Sequence, residues 1–133
     1  MDVEAIQQGL AAATSTVTGL RGYPNLPGSI NPPVAAPYEF ELTYHQAFGG
    51  LSSAMFTVGV FASLGDTDAG RKALVGYLAP SGTGSVPAAI EADKTLGGAC
   101  KTLVVRRARG AYRLYEIGGT NYLGALLDVE VWA

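Results

Sequence analysis

The fold is decided by residues 54–79, AMFTVGVFASLGDTDAGRKALVGYLA. The first part of this stretch alternates apolar residues with others, a period of two that is typical of a strand with one buried face. That face holds Ala54, Phe56, Val58, Val60, Ala62 and Leu64. A helix is expected to begin near Asp66 and to end before Pro80. Its apolar residues recur at three- and four-residue spacing, as Leu74, Tyr77 and Leu78. The stretch therefore predicts a central strand that leads into a helix packed on the sheet.

Upstream of this strand, the spacing predicts an amphipathic helix and then a loop. Apolar residues step by three and four from Val3 to Val17, and Asp2 is a candidate cap. Residues 24–37 contain five prolines, which remove amide donors and impose an extended conformation. We expect this segment to be an arm that lies on a neighbouring surface, with a merely flexible connection as the alternative.

The next segment, 38–44, alternates aromatic and aliphatic residues with glutamate and threonine, and predicts a half-buried strand with an acidic outer face. Its expected partner is the strand at 54–64. The connection between them, 45–53, is long for a hairpin and carries apolar residues that a solvent-exposed tip does not need. Its candidate interface residues are His45, Phe48 and Leu51.

After Pro80, a short helix is expected to begin at Ser85 and to be closed by the glycine pair at 97–98. Val86, Ala89 and Ile90 are expected to point inward. Cys100 follows, and a small buried thiol at a strand start is the preferred interpretation.

The last third of the chain predicts a hairpin whose register is decided by charge. A turn at residues 109–110 would place Arg106 opposite Arg113, a like-charge pair that destabilises a ladder. A turn at 118–121 instead makes one long hairpin, in which 101–117 pairs with 122–132. We therefore expect the long hairpin.

In that register, Arg109 lies opposite Glu130, Arg113 lies diagonal to Asp128, and Gly110 forms a kink or bulge. The inner face joins Leu123, Ala125, Leu127, Val129 and Val131 to Ala108, Tyr112 and Leu114. The outer face presents Arg107, Arg109, Arg113, Tyr115, Tyr122 and Trp132 beside Glu130. A monomer does not need such a face, so these residues are predicted to form an interface with another subunit or a tube. The nearby acids favour pairing of the arginines within the sheet or between subunits over binding of nucleic acid.

Composition limits the remaining possibilities. The chain has 133 residues, 48% of them hydrophobic, which predicts a single domain over residues 1–133. A net charge of −2 provides no general attraction for nucleic acid or anionic membranes. No apolar run reaches the roughly 18 residues of a membrane helix, and no basic signal region is visible at the N-terminus. We therefore expect a protein assembled in the cytoplasm, with no membrane partner and no sequence-specific nucleic acid.

Two features that imitate reactive sites fail on chemical grounds. Residues 65–70 resemble a phosphate-binding loop, but Arg71 replaces the required lysine and Ala73 lacks the hydroxyl that magnesium needs. His45 is the only histidine and Cys100 the only cysteine, without the spacing of a metal site. We expect no catalytic residue, no cofactor and no metal, and hence a protein that is not an enzyme.

Several stretches resemble one protein family across essentially the whole chain. The most specific is YLAPSGTGSVPAAIEADKTLGG at 77–98. It is supported by DVEAI at 2–6, GLR at 19–21, and YLGA at 122–125. With these residues, the chain resembles the tail terminator (tail completion) proteins of long-tailed phages, especially those that infect actinobacteria.

The resemblance implies an α+β subunit with a mostly antiparallel sheet and two or three helices packed on one face. It further implies a hexameric ring that caps the tail tube, ends its polymerisation and presents a surface to the head connector. The implied partners are further copies of the chain, the tail tube protein and the head-completion or connector protein, at the head–tail junction of the virion. The alternatives are a head-completion or neck protein of the same virion and, further off, a small ligand-binding or enzymatic α+β domain.

Overall fold

A computed structural model describes residues 2–44, 52–63 and 67–132, and these form an α+β fold with a five-stranded sheet and three helices. The elements are α1 (Val3–Thr14), β1 (Arg21–Gly22), β2 (Val34–Thr43), β3 (Ser53–Ala62), α2 (Thr67–Leu78), α3 (Val86–Glu91), β4 (Thr102–Ile117) and β5 (Thr120–Trp132). The predicted fold class is therefore confirmed. Predictions for His45, Phe48, Leu51, Leu64 and Asp66 lie outside the described residues.

The strand predicted to be central is β3, in the middle of the order β1-β2-β3-β5-β4. It pairs antiparallel with β2 and with β5, and β4 pairs antiparallel with β5, while β1 is parallel to β2. The predicted pairing of β2 with β3 is confirmed. Because β5 lies between β3 and β4, the terminal hairpin forms one side of the sheet, and β4 is the edge strand on that side.

The helices cover one face of the sheet and bury the predicted alternating residues of β3. Leu74 of α2 and Ile6 of α1 are fully buried there, as are Val86 and Ile90 of α3. The Asp2 side chain caps α1 by accepting a hydrogen bond from the Ala5 amide at 3.1 Å. Burial of this common apolar face supplies most of the driving force for folding.

One helix end agrees with expectation and one differs. The first helix ends at Thr14, in the weak stretch 14–16 where the sequence predicts its end, and Val17 is buried from the turn that follows it. The helix capped by Ser85 ends at Glu91 instead of continuing to the glycine pair. Asp93 explains this difference, because its carboxylate accepts backbone hydrogen bonds that hold a separate turn over 93–97. The hydrogen bond from the Thr95 hydroxyl to the same carboxylate, together with these backbone bonds, lowers the pKa of Asp93.

The predicted arm at 24–37 is wrong in its extent, because its last four residues belong to β2. Val34–Pro37 are buried as the first residues of β2, because an extended, proline-compatible backbone also fits a strand. The preceding loop turns back over its own chain, where Leu26 and Ile30 pack against a second, smaller core. That second core is formed by Phe61, Ile117 and Tyr122, with Tyr115 packed beside them.

The long terminal hairpin is confirmed, but its predicted register is wrong. The turn is only the glycine pair 118–119, both with positive φ, and β5 already begins at Thr120. Register shifts then place Arg109 opposite Leu126, and Arg107 opposite Asp128. Each shift is a bulge in β4, which moves all later partners along the strand.

One of these bulges is the kink predicted at Gly110, where φ is +64°. Ala108 and Leu114 do face Leu127 and Leu123 on the helix side, as expected. The expectation that the middle of β4 belongs to the core on this side is wrong, even though Leu103 at the start of the strand is fully buried. Leu114 is 59% exposed there, and Tyr112 is 48% exposed.

Candidate assembly surface

The outer face of the sheet, opposite the helices, has a closed half and an open half. In the closed half, the loop residues Leu26 and Ile30 cover the second core. The Tyr122 hydroxyl donates to the Ile30 carbonyl oxygen at 3.2 Å, and the Tyr115 hydroxyl donates to the Gly110 carbonyl oxygen at 2.9 Å. Tyr115 and Tyr122 are therefore packed within their own chain, and their assignment to an interface with another subunit or a tube stays a prediction.

The closed half can pack tightly because Gly124 of β5 lies opposite Phe61 of β3. Gly124 pairs with Arg113 next to the Tyr115–Tyr122 pair, and its missing side chain leaves room for the rings of Phe61 and Tyr115. A Cβ at Gly124 would lie 2.8 Å from Tyr115 and 2.9 Å from Phe61. Those two rings meet edge to face, with centroids 5.7 Å apart. A glycine within an otherwise apolar strand was the sequence signal for this packing.

The open half is organised around Asp128, a buried carboxylate in the apolar run of β5. We call Glu39, Thr57, Arg107, Arg109 and Asp128 the Asp128 cluster. Arg107 Nε lies 2.6 Å from Asp128 Oδ2, Arg109 Nε lies 3.0 Å from the same oxygen, and the Thr57 hydroxyl donates to Oδ1 at 3.1 Å. Arg109 also reaches Glu39 at 3.5 Å, so one side chain crosses the sheet from β4 to β2.

Asp128 stays ionised because its donors outweigh the cost of its burial. Burial alone raises the pKa of the Asp128 carboxyl, but the hydrogen bonds from Arg109, Arg107 and Thr57 bring it below the ordinary value of 3.8. The hydrogen bond to Asp128 in turn raises the pKa of Arg109. A carboxylate held in this way is poorly suited to exchange protons near neutral pH, so the cluster is better suited to structure than to acid–base chemistry.

A second group of side chains continues the open half towards the end of β5. Arg106 lies in a bulge of β4, and its guanidinium is 3.3 Å from Glu130 and 5.7 Å from the centroid of the Trp132 ring. The structure thus joins two predicted interface residues, Glu130 and Trp132, through an arginine that the predicted register did not place on this face. Bulges can redirect a side chain in this way, and the local sequence around Arg106 does not reveal it.

The predicted interface residues are therefore only partly brought together. Arg107, Arg109, Glu130 and Trp132 lie on the open half, and Arg113 lies further along β4, where it is exposed. The sequence did not single out Glu39 and Thr57, because their roles depend on strands far apart in the chain. For Asp128, the sequence offered one signal, an acid within a mostly apolar strand. Such an acid requires a partner if it is buried.

A groove of about 240 Å³ lies over the Asp128 cluster, with Phe40, Glu41 and Met55 in its walls. Among the described residues, every buried side-chain nitrogen or oxygen has a hydrogen-bond partner. Across the same ranges, no group of His, Cys, Asp and Glu could hold a metal ion. The single thiol is buried at the start of β4, as expected, and desolvation raises the pKa of Cys100. Within 2–44, 52–63 and 67–132, no helix is long and apolar enough to cross a membrane.

Both edges of the sheet remain open over most of their length. Among the described residues, β4 pairs only with β5, and β1 covers β2 only at Val34 and Ala35. The open part of β4 exposes residues 106–109 and 111–114, and that of β2 exposes 38–41. Open edges offer unpaired backbone groups to another chain.

A scan against models of known protein families finds no match to this sequence, and a search of curated proteins finds none either.

The Asp128 cluster leads to a stability prediction. We expect Asp128→Asn to lower the free energy of unfolding by about 1–3 kcal/mol, because it removes the charged acceptor for two arginines and leaves an amide to fill a buried site. Chemical denaturation at neutral pH measures the loss. The matched control is Glu116→Gln, an exposed acid on the same hairpin, which should change stability by less than about 0.5 kcal/mol.

The pH dependence of the same pair follows from the sign of the pKa shift. Folding lowers the pKa of Asp128. The ionised carboxylate therefore contributes fully to the stability of the fold above pH 3.8, and this contribution is lost as the pH falls through the pKa of Asp128 in the folded protein. The stability difference between wild type and Asp128→Asn should therefore shrink below pH 3.8. A difference that is small at neutral pH, or that grows on acidification, would contradict this role for the carboxylate.

Proposed function

We propose that this chain is a structural virion subunit that forms a ring, caps a phage tail tube, ends its polymerisation and joins the tail to the head connector. Its partners are then further copies of itself, the tail tube protein and the head-completion or connector protein. The proposal places the protein at the head–tail junction after assembly in the host cytoplasm. It is supported by the resemblance of the sequence to tail terminators and by the agreement of the α+β fold with that resemblance.

The observation that carries the proposal is the pair of open sheet edges. Edge strands of monomeric proteins are usually short, covered or protected by charge, because they otherwise pair with other chains. Here β4 carries arginines and bulges, but it is 16 residues long and also exposes apolar side chains, with Leu114 at 59% and Tyr112 at 48%. A subunit whose function is to contact other subunits has a use for such edges.

The chemistry of the open face agrees with a structural function. Its one buried carboxylate is held by two arginines and a threonine of the same chain. These contacts neutralise the charge and link β3, β4 and β5, and the contact between Arg109 and Glu39 adds β2. A rigid sheet with a polar, arginine-bearing face is well suited to a permanent contact with other proteins.

The direct test is electron microscopy of tails assembled with and without this protein. We expect its removal to give tubes without a fixed end point, and its return to restore one tail length with a ring at the head-proximal end. Lys94→Glu, a charge change on the exposed turn after α3, serves as the control and should behave as wild type.

Two results would contradict the proposal in different ways. Tails of normal length that fail to join heads would indicate the alternative, a head-completion or neck protein. Tails of normal length that join heads in the absence of the protein would exclude both assignments.

A further inference from the structure

We propose that neighbouring subunits meet edge to edge, with β4 of one copy lying antiparallel along β2 of the next, so that their sheets join into one. This inference rests on the proposed ring-forming function and deepens it by naming the two surfaces that meet. The occupant of each open edge is a second copy of this chain. Four properties of the two edges support it.

The first property is charge. Residues 102–117 of β4 contain four arginines and one acid, Glu116, whereas residues 38–43 of β2 contain two glutamates and no base. The arginine side chains at 106, 107 and 109 and the Glu39 side chain are each at least 40% exposed, even with their contacts inside the chain. One edge is thus basic and the other acidic, and complementary charge favours contact between unlike edges over contact between like edges.

The second property is the apolar surface on the helix side of each edge. Tyr112 of β4 lies on this side, since the Arg71 guanidinium of α2 is 5.7 Å from its ring centroid. Leu114 lies on the same side, opposite Leu123. On the β2 edge, Phe40 stacks on Phe56 at 5.5 Å between ring centroids and is still 46% exposed.

Next to Phe40 there is room for a neighbour's side chains. A groove there is lined by Val3, Glu4, Gln7, Gln8, Pro24, Asn25 and Phe40, from α1, the following loop and β2. If the sheet continues into the next copy with helices on the same side, the apolar side of β4 meets Phe40 and this groove. The basic side of β4 then meets the acidic side of β2.

The third property is strand direction. Each neighbouring pair from β2 through β3 and β5 to β4 is antiparallel, so β4 runs opposite to β2 within one copy. A second copy added in the same orientation therefore brings β4 antiparallel to β2. Antiparallel pairs form ladders without further adjustment.

The fourth property is the length of regular strand that each edge offers. Bulges interrupt β4 up to Arg113, which leaves Arg113–Ile117 as a regular segment of the open edge. On β2, Pro37 lacks an amide and the register shifts beside it, which leaves Glu39–Thr43. Both segments are five residues long. Because the two surfaces differ, each copy has one of each, and such contacts repeat until a ring closes.

A charge swap across the proposed contact tests it. Arg113→Glu and Glu41→Arg each place like charges at the joint, and we expect each to weaken ring assembly by at least about tenfold, measured by native mass spectrometry and light scattering. The double variant restores opposite charges and should assemble to within about threefold of wild type. Lys94→Glu should assemble normally, and far-UV circular dichroism should show the wild-type fold in all variants.

Cross-linking provides a second readout that does not depend on charge. In an Arg113→Cys, Glu41→Cys double variant, a short bismaleimide should join copies into a ladder that ends at the ring size. Each single variant should give no product beyond a dimer, because the native Cys100 is only 8% exposed.

The outcomes separate this inference from the proposed function. Rings that form normally in both single charge variants, with no cross-linked ladder, would overturn the edge-to-edge contact and leave the ring-forming function in place. Wild-type protein that stays monomeric, with tails that end normally in its absence, would overturn both. A ladder and a successful charge swap in a protein that does not affect tail length would confirm the contact and contradict the tail-terminating function.

Discussion

Leu74→Ala is expected to lower the free energy of unfolding by about 2–5 kcal/mol, because truncation of a fully buried leucine leaves a cavity that the surroundings fill only in part. Leu74 projects from α2 into the main core under β3 and β5. It is the fully buried leucine of the helix face on which Tyr77 and Leu78 also pack against this core. Denaturation by urea or guanidinium, with an unchanged slope against denaturant, measures the loss.

The neighbouring residue provides a matched control. Val75 is 52% exposed on the other side of the same helical turn. Val75→Ala should change stability by less than about 0.5 kcal/mol, the usual effect of a surface substitution. Similar losses for the two variants would mean that the buried face of α2 has been assigned to the wrong residues.

Gly118→Ala is expected to lower the free energy of unfolding by about 2–4 kcal/mol, because it combines a strained backbone with a steric collision. Gly118 has φ +61° at the tip of the terminal hairpin, and a Cβ there would collide with the carbonyl oxygen of Gly28. The collision exists only because the loop that contains Gly28 lies over the hairpin turn. Thermal and chemical denaturation measure the loss.

The other glycine of the turn separates the two causes. Gly119 has φ +82°, but a Cβ there would have no neighbour within 4 Å. Gly119→Ala should therefore cost only the backbone strain, about 1–2 kcal/mol. Equal losses at the two positions would show that the loop does not rest on the hairpin in solution, and would revive the interpretation of this segment as a free arm.

Local patterns were sufficient for most of the elements. The alternation of β3, the spacing of Leu74 in α2 and the caps at Asp2 and Ser85 depend on nearby residues, and each is found where it was predicted. The long hairpin could also be predicted, because like-charge repulsion excluded the competing turn. Element type is strongly determined when periodicity and capping agree.

The candidate surface was harder to predict, because it depends on which strands become neighbours. Arg107 and Arg109 were expected on the outer face, and that is correct, but Arg109 was expected opposite Glu130 and both arginines contact Asp128. Bulges in β4 changed the pairing. The position of a bulge depends on contacts between strands, so it cannot be predicted from a short stretch of sequence. The contact between Arg109 and Glu39 joins residues 70 positions apart and crosses two intervening strands.

The amino-acid sequence by itself determined the helices, the strands, the hairpin and the alternation that gives the sheet one apolar face, because these follow from periods of two and 3.6 and from turn chemistry. Only the tertiary structure decided which exposed residues remain available to other molecules. Tyr122 was expected to face outward without a use in the monomer, yet it is buried in a second core beside the loop that carries Leu26 and Ile30, while Leu114 was expected to be buried and is exposed. The physical reason is that the exposure of a residue depends on which distant parts of the chain pack against it, and those contacts are set by the whole fold.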